Sequence, residues 1–434
     1  MFHDRTLATR ATAPARPASA VGAATGWVGL AGLAGWIAVA CRLGLDGPYA
    51  ALIGVAACAV PMVGWAVLVD KVHRRASTGL DWDVARPWRE VLPTAAVKLV
   101  GLWATWAAIA AVYATERFYW DWSVGGYPFA MWCLGWALPV LVVASVPYTL
   151  WLDRHLLVPR DGAYAFGAWL LSLGEPIDRA AMHNHWRSWA VKGFFLAFML
   201  AVVPPGFGAT VREHGQLLAG DPVAVALWLI GLLFAVDCLF ATAGYILTLR
   251  PLDSHIRSAN PFAAAWTAAL ICYPPSVLMD RGGPLDYSIA TRGSDGWTIW
   301  LGGHPLVLAL WAAMLVGLTA IYASATVAFG FRFSNLTHRG ILTHGPYRLS
   351  RHPAYLAKNL YWWLATLPML SVGGWGDAAR AMVLMAAVSG IYYWRARTEE
   401  RHLGEDPAYR AYSEWASANA PVPRLFGWML GRAG

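Results

Sequence analysis

Apolar residues in this chain gather into runs of roughly 20, divided by short charged or Gly/Pro-rich breaks. Unpaired backbone groups are costly in hydrocarbon, so only helices or closed barrels span a bilayer, and unbroken apolar runs exclude the alternating strands of a barrel. The pattern therefore predicts an all-α polytopic integral membrane protein. It places about ten transmembrane helices near 26–43, 48–69, 94–115, 127–151, 190–211, 222–248, 261–280, 298–330, 356–373 and 377–396. The weakest of these is 261–280, where Pro274 and Pro275 interrupt the run. Residues 1–25 read as a disordered cytoplasmic tail and 26–290 as an N-terminal transmembrane helical region of unassigned role. Residues 291–434 form a C-terminal membrane region that carries the densest polar motifs.

Charge sets the orientation. Most of the 33 Lys and Arg fall in connections on the side of the N-terminal tail, and only Arg42, Arg117, Arg212, Arg281, Arg292 and Arg380 fall on the other. The positive-inside rule then puts both termini in the cytoplasm, as in a bacterial-type inner (plasma) membrane. With 58% hydrophobic and 13% charged residues, no polar segment is long enough to fold as a soluble domain. The net charge of +8 is scattered among loops, which speaks against nucleic acid and for contact with lipid headgroups. Trp82, Trp88, Trp120, Trp122, Trp151, Trp186 and Trp189 stand near the ends of apolar runs, where an amphipathic ring anchors at the interface. Cys41, Cys58, Cys133, Cys238 and Cys272 lie singly inside apolar runs, without CxxC spacing, and read as small core residues.

The densest polar constellation is FRFSNLTHRGILTHGPYRLSRHPAYLAKNLYWW at 331–363, followed by a short helical hairpin and YYWRARTEERHLGEDPAYRAYSEW. A short hairpin returns the chain to the same face, so His352 and Glu399 are expected across one cleft. Pro353 biases His352 away from helical geometry, so a helix should begin at Pro353 with its free N–H groups facing that cleft. Glu399 and Glu400 point about 100° apart on a helix and cannot meet the same atom, so one of them is expected to be structural.

These motifs resemble the isoprenylcysteine carboxyl methyltransferase family and its phospholipid-methyltransferase relatives. The matching residues are Gly345, Pro346, Tyr347, Arg351, His352, Pro353 and Tyr355, then Glu399, Glu400 and Leu403, then Tyr409 and Tyr412; Ala357 stands where the family has glycine. The resemblance covers about the last hundred residues. It implies an S-adenosylmethionine-dependent methyltransferase acting on a lipophilic or membrane-embedded acceptor, such as a prenyl carboxylate or a lipid headgroup. It also implies that Tyr347, His352, Pro353, Tyr355, Glu399 and Glu400 bind the cofactor. Methyl transfer from a sulfonium needs positioning more than a nucleophilic side chain, so Arg351 and Arg397 are the catalytic candidates, as holders of the cofactor carboxylate.

Two rivals come from other features. Gly404, Tyr409, Tyr412, Pro423 and Arg424 resemble the tails of membrane steroid and sterol reductases, which implies NADPH. Lys98 and Asp237 fall within spans, where ionisable groups are expensive; paired, they would suit a transporter or lipid-binding scaffold. In the loop TLRPLDSHIRSANP, His255 and Arg257 are candidates to bind the acceptor's polar head, with loop anchoring as the competing reading. Glu399 and His402 match half of a di-iron motif, but no second copy occurs, so no metal is expected and His402 reads as solvated. His183 and His185 read as interfacial residues beside Trp186.

Overall fold

The computed structural model describes residues 15–218, 220–288 and 295–424. The chain runs α1 (Ala23–Leu43), α2 (Pro48–Leu68), α3 (Trp88–Thr115), α4 (Tyr127–Asp153), α5 (Gly162–Leu170), α6 (Arg179–Arg212) and α7 (Pro222–Ile246). It continues through strand β1 (Ser258–Ala259), α8 (Ala263–Leu270), α9 (Gly296–Trp300), α10 (Pro305–Phe329), strand β2 (Thr337–His338), α11 (Pro353–Thr366), α12 (Trp375–Leu403) and α13 (Pro407–Asn419). Proline stands in the first turn of α2, α4, α7, α10, α11 and α13, where its missing N–H is no loss. Asp161, Asp178, Asp221 and Asp406 cap α5, α6, α7 and α13 by accepting from backbone N–H groups.

Among the described residues, seven helices are long and apolar enough to cross a membrane: α1 to α4, α6, α7 and α10. The other three expected spans take different forms. The 261–280 segment is not a helical span: α8 has 8 residues, a rise of roughly 12 Å against a hydrocarbon core of about 30 Å. α11 has 14 residues, about 21 Å, and α12, though 29 residues long, is too polar to join the seven.

α8 follows β1, which pairs antiparallel with β2 at the end of the molecule holding the C-termini of α7 and α10. Trp297 of α9 packs instead with Ala226 and Ile230 near the start of α7, and with Ala312, Leu315 and Ala365. The stretch from α8 to α9 therefore passes from one end of α7 to the other with no long helix among its described residues. Irregular backbone at membrane depth is tolerated where it borders protein or a polar cavity, and α8 packs on α12.

The face that carries β1 and β2 also gathers both ends of the described chain. Residues 15–22, expected within a disordered tail, dock there: Ala20 N donates to Ile341 O, Thr343 Oγ1 to Pro17 O, and Ser19 Oγ lies 2.8 Å from His344 Nδ1. Residues 1–14 lie outside the described residues. Arg339, buried, donates to the carbonyls of Gly244, Leu247, Ser254, Phe331 and Phe333, so the negative ends of α7 and α10 converge on one cation. Burial and the neighbouring Arg332 push its pKa down to about 9. Beside it, Asp253 accepts from Arg332 at 2.7 Å and from Ser77 at 2.8 Å.

Candidate active site

Faces of α8, α10, α11 and α12 and the loop between α10 and α11 enclose a cavity with about 110 Å³ of interior space. α12 contributes Tyr392, Arg395, Glu399 and His402, spaced by three, four and three residues so that they form one stripe. α11 contributes Tyr355 and Lys358 at the same helical spacing from His352, its N-terminal flanking residue. The loop between α10 and α11 adds Phe333, Asn335 and Tyr347, and the irregular passage adds Tyr273.

The two adjacent glutamates separate as their 100° offset requires. Glu400 is a clamp: its carboxylate meets Arg351 at 3.2 Å, His352 Nε2 at 3.1 Å and Arg397 at 2.8 Å, and its side chain is 13% exposed. Burial acts to raise its pKa, but the His352 hydrogen bond and the charges of Arg351 and Arg397 outweigh burial and hold it below the usual carboxylate value. Glu399 lines the cavity and accepts one hydrogen bond, from Tyr355 OH at 3.1 Å. The rings of His352 and Tyr355 stack with centroids 5.6 Å apart.

Arg395 is buried, lies 5.1–5.7 Å from the ring centroids of Tyr392, Tyr355 and Tyr273, and donates to Asn335 Oδ1 at 3.2 Å. Lys358 Nζ lies 5.0–5.6 Å from the rings of Trp362, Tyr322 and Tyr392. Tyr347, whose hydroxyl burial and then the Glu399 charge hold well above the ordinary tyrosine value, closes the side of the cavity toward α10.

Of the residues singled out from the sequence, Tyr347, Arg351, His352, Pro353, Tyr355 and Glu399 line this cavity, and Glu400 braces it from outside. Arg397 does not reach it: the side chain is 60% exposed and engages Glu400 on the outer side of the helix. His255 and Arg257 also lie elsewhere. Arg257 is 3.6 Å from Asp253 and its backbone N–H donates to His338 O, in the ring of charges around Asp253. Burial, then the Arg250 charge, pushes the His255 pKa down to about 3. His402 is not solvated but buried, with Nε2 2.9 Å from Ser258 Oγ. His185 is partly buried too, 2.8 Å from Thr105 Oγ1. Ala357 is buried and does not line the cavity.

The intramembrane pair expected of Lys98 and Asp237 does not form. Lys98 binds Asp153 at 2.6 Å and Asp161 at 3.1 Å, tying α3 to the ends of α4 and α5, whereas Asp237 accepts from Tyr322 and Thr326 on α10. Sequence reasoning missed Arg395, Lys358, Tyr392, Asn335 and Tyr273. The first three carried a signal, since 392, 395, 399 and 402, like 352, 355 and 358, repeat at helical spacing.

Residues 300–416 match a family described as Protein of unknown function (DUF1295). That family lies in the membrane superfamily of steroid reductase-like and isoprenylcysteine methyltransferase-like proteins. No curated protein and no solved structure matches the chain significantly. The matched segment holds α10, α11, α12 and the loop between them, which supply most of the cavity wall.

Proposed function

We propose that this protein transfers a methyl group from S-adenosylmethionine to a lipophilic acceptor that reaches the cavity through the membrane. The observation that carries the reading is the charge pattern: Glu399, with a single tyrosine partner, shares the cavity wall with Arg395 and Lys358. One carboxylate facing two cations complements the amino and carboxylate ends of an amino-acid-derived donor. Glu399 would hold the amino group or a ribose hydroxyl, Arg395 the carboxylate, and the rings of Tyr355 and Tyr392 would favour the sulfonium charge.

When bound, the donor supplies an electrophilic methyl carbon that needs no metal or covalent helper. The chain's part is then alignment and exclusion of water, which buried aromatic walls provide. By the positive-inside expectation the loop face is cytoplasmic, where a soluble donor would enter. A nicotinamide dinucleotide phosphate suits the site less well. Its phosphates call for several free cations, whereas Arg351 is already paired with Glu400, which leaves only Arg395 and Lys358 of the cavity's cations to meet all of them, beside the carboxylate of Glu399.

Detergent-purified protein should bind S-adenosylmethionine saturably, and Glu399→Gln should weaken that binding by about tenfold or more while the melting temperature holds. Saturable NADPH binding in place of S-adenosylmethionine would overturn the reading in favour of a reductase. Binding of neither would leave only a transport or scaffold role.

A further inference from the structure

The deep end of the cavity holds polar groups that donor binding does not use. Asp237 lies nine residues before the end of α7, roughly 14 Å along the helix axis from the loop face. An ionisable group at such depth is expensive and calls for a functional reading with its partners named. Tyr322 OH donates to Asp237 Oδ2 at 2.8 Å, and Thr326 Oγ1 donates to Asp237 Oδ1. Asp237 itself is buried, but Tyr322 and Thr326 both line the cavity. Their protons are turned toward Asp237, so the oxygens offer lone pairs to whatever occupies the cavity. Lys358 Nζ, 5.4 Å from the Tyr322 ring centroid, balances charge at this end.

Resting on the methyl-transfer reading, we infer that the Tyr322–Asp237 pair removes a proton from the acceptor, whose reacting group is therefore a hydrogen-bond donor, a hydroxyl or an amine, on a lipophilic body. A carboxylate acceptor is already ionised; it needs no base and would be repelled by Asp237. Tyr322 takes the proton that the acceptor's oxygen or nitrogen sheds as its bond to the methyl carbon forms. The sulfur–carbon bond breaks with its electron pair left on sulfur. Tyr322 passes its own proton to Asp237, so charge and atoms balance. Tyr322 thus touches the reacting group, and Asp237 is a positioning residue acting through it.

The test uses the full-length protein in nanodiscs of total bacterial membrane lipid with methyl-labelled S-adenosylmethionine. Mild alkali releases label from methyl esters as methanol but leaves methyl ethers and N-methyl groups intact. We expect alkali-stable label, and a fall in kcat of about 100-fold or more in Tyr322→Phe and Asp237→Asn with donor affinity unchanged. Asp237→Glu should restore part of the rate. In the absence of donor, hexadecylamine and hexadecan-1-ol should raise the melting temperature more than hexadecanoate, and Asp237→Asn, which removes the repelling charge, should narrow that difference. If Asp237→Asn fails to fold, Tyr322→Phe, which keeps the ring, decides. Alkali-labile label, undiminished turnover in Tyr322→Phe, or donor binding with no label in any lipid would overturn the inference and leave the donor reading standing. Absence of donor binding would remove both.

Discussion

Glu399 and Glu400 are neighbours in sequence with opposite duties, and the helix that carries them decides which is which. Glu400 is held by three cationic or imidazole groups and joins the end of α12 to the start of α11, whereas Glu399 has one tyrosine hydroxyl and the cavity. Glu400→Gln should therefore lower stability by about 1–3 kcal/mol, because Arg351 and His352 lose their shared acceptor, and should weaken donor binding only indirectly. Its pKa is held below the ordinary carboxylate value in the folded chain, so the clamp's contribution is full above that ordinary value. It is lost as pH falls through the depressed folded value. Thermal melts in detergent from pH 7 to pH 3 check this: wild type should lose more stability than Glu400→Gln across the acid end. Parallel curves would mean that the clamp contributes nothing.

Long apolar runs declared most of the elements in the sequence, and the sites where they meet were less visible. All seven apolar helices fall where hydropathy places them, because a span must bury its backbone bonds within one segment. The 261–280 run was counted as a span although Pro274 and Pro275 marked it as the weakest, because the sequence does not show that neighbours such as α12 make broken backbone tolerable there. His352, Tyr355 and Glu399 were legible as a motif, whereas Asn335 and Tyr273 reach the cavity through loop geometry that no spacing announces. Close helix contacts were equally silent. A Cβ at Gly101 of α3 would lie 2.2 Å from Ala163 O, and one at Gly167 of α5 2.0 Å from Val97 O, so the two backbones touch through paired glycines. Gly101→Ala or Gly167→Ala should push α5 off α3 and loosen the Lys98–Asp161 contact, with a loss of about 1–3 kcal/mol. Gly231→Ala, in open space on α7, should change the melting temperature little. Equal melting temperatures for all three variants would show that α5 gives way without strain.

At the scale of the whole molecule, the passage from α8 to α9 bears on how the N-terminal helices and the end that holds the cavity share one membrane. Asp253, just past the end of α7, is bound to Arg332, just past the end of α10, so these two helices finish on the same face and run in the same direction. Two helices consecutive along the membrane and parallel to each other need a return crossing between them, and the chain between them supplies it with no long helix among its described residues, only α8 and α9. The passage walls the cavity with Asn260, Ala265, Ala269 and Tyr273, which makes the crossing part of the site and not only a connection. Single cysteines at the exposed positions Asp221, Gly303 and Arg401 test it with a membrane-impermeant maleimide on spheroplasts. Four of the five native cysteines lie within α1, α2, α4 and α7 and Cys272 follows α8, and the protein without an added cysteine provides the background control. Asp221→Cys and Gly303→Cys should react from outside, and Arg401→Cys only after permeabilisation. If Gly303→Cys instead behaves like Arg401→Cys, then α7 and α10 run antiparallel, and the cavity between α8, α11 and α12 cannot have the walls described.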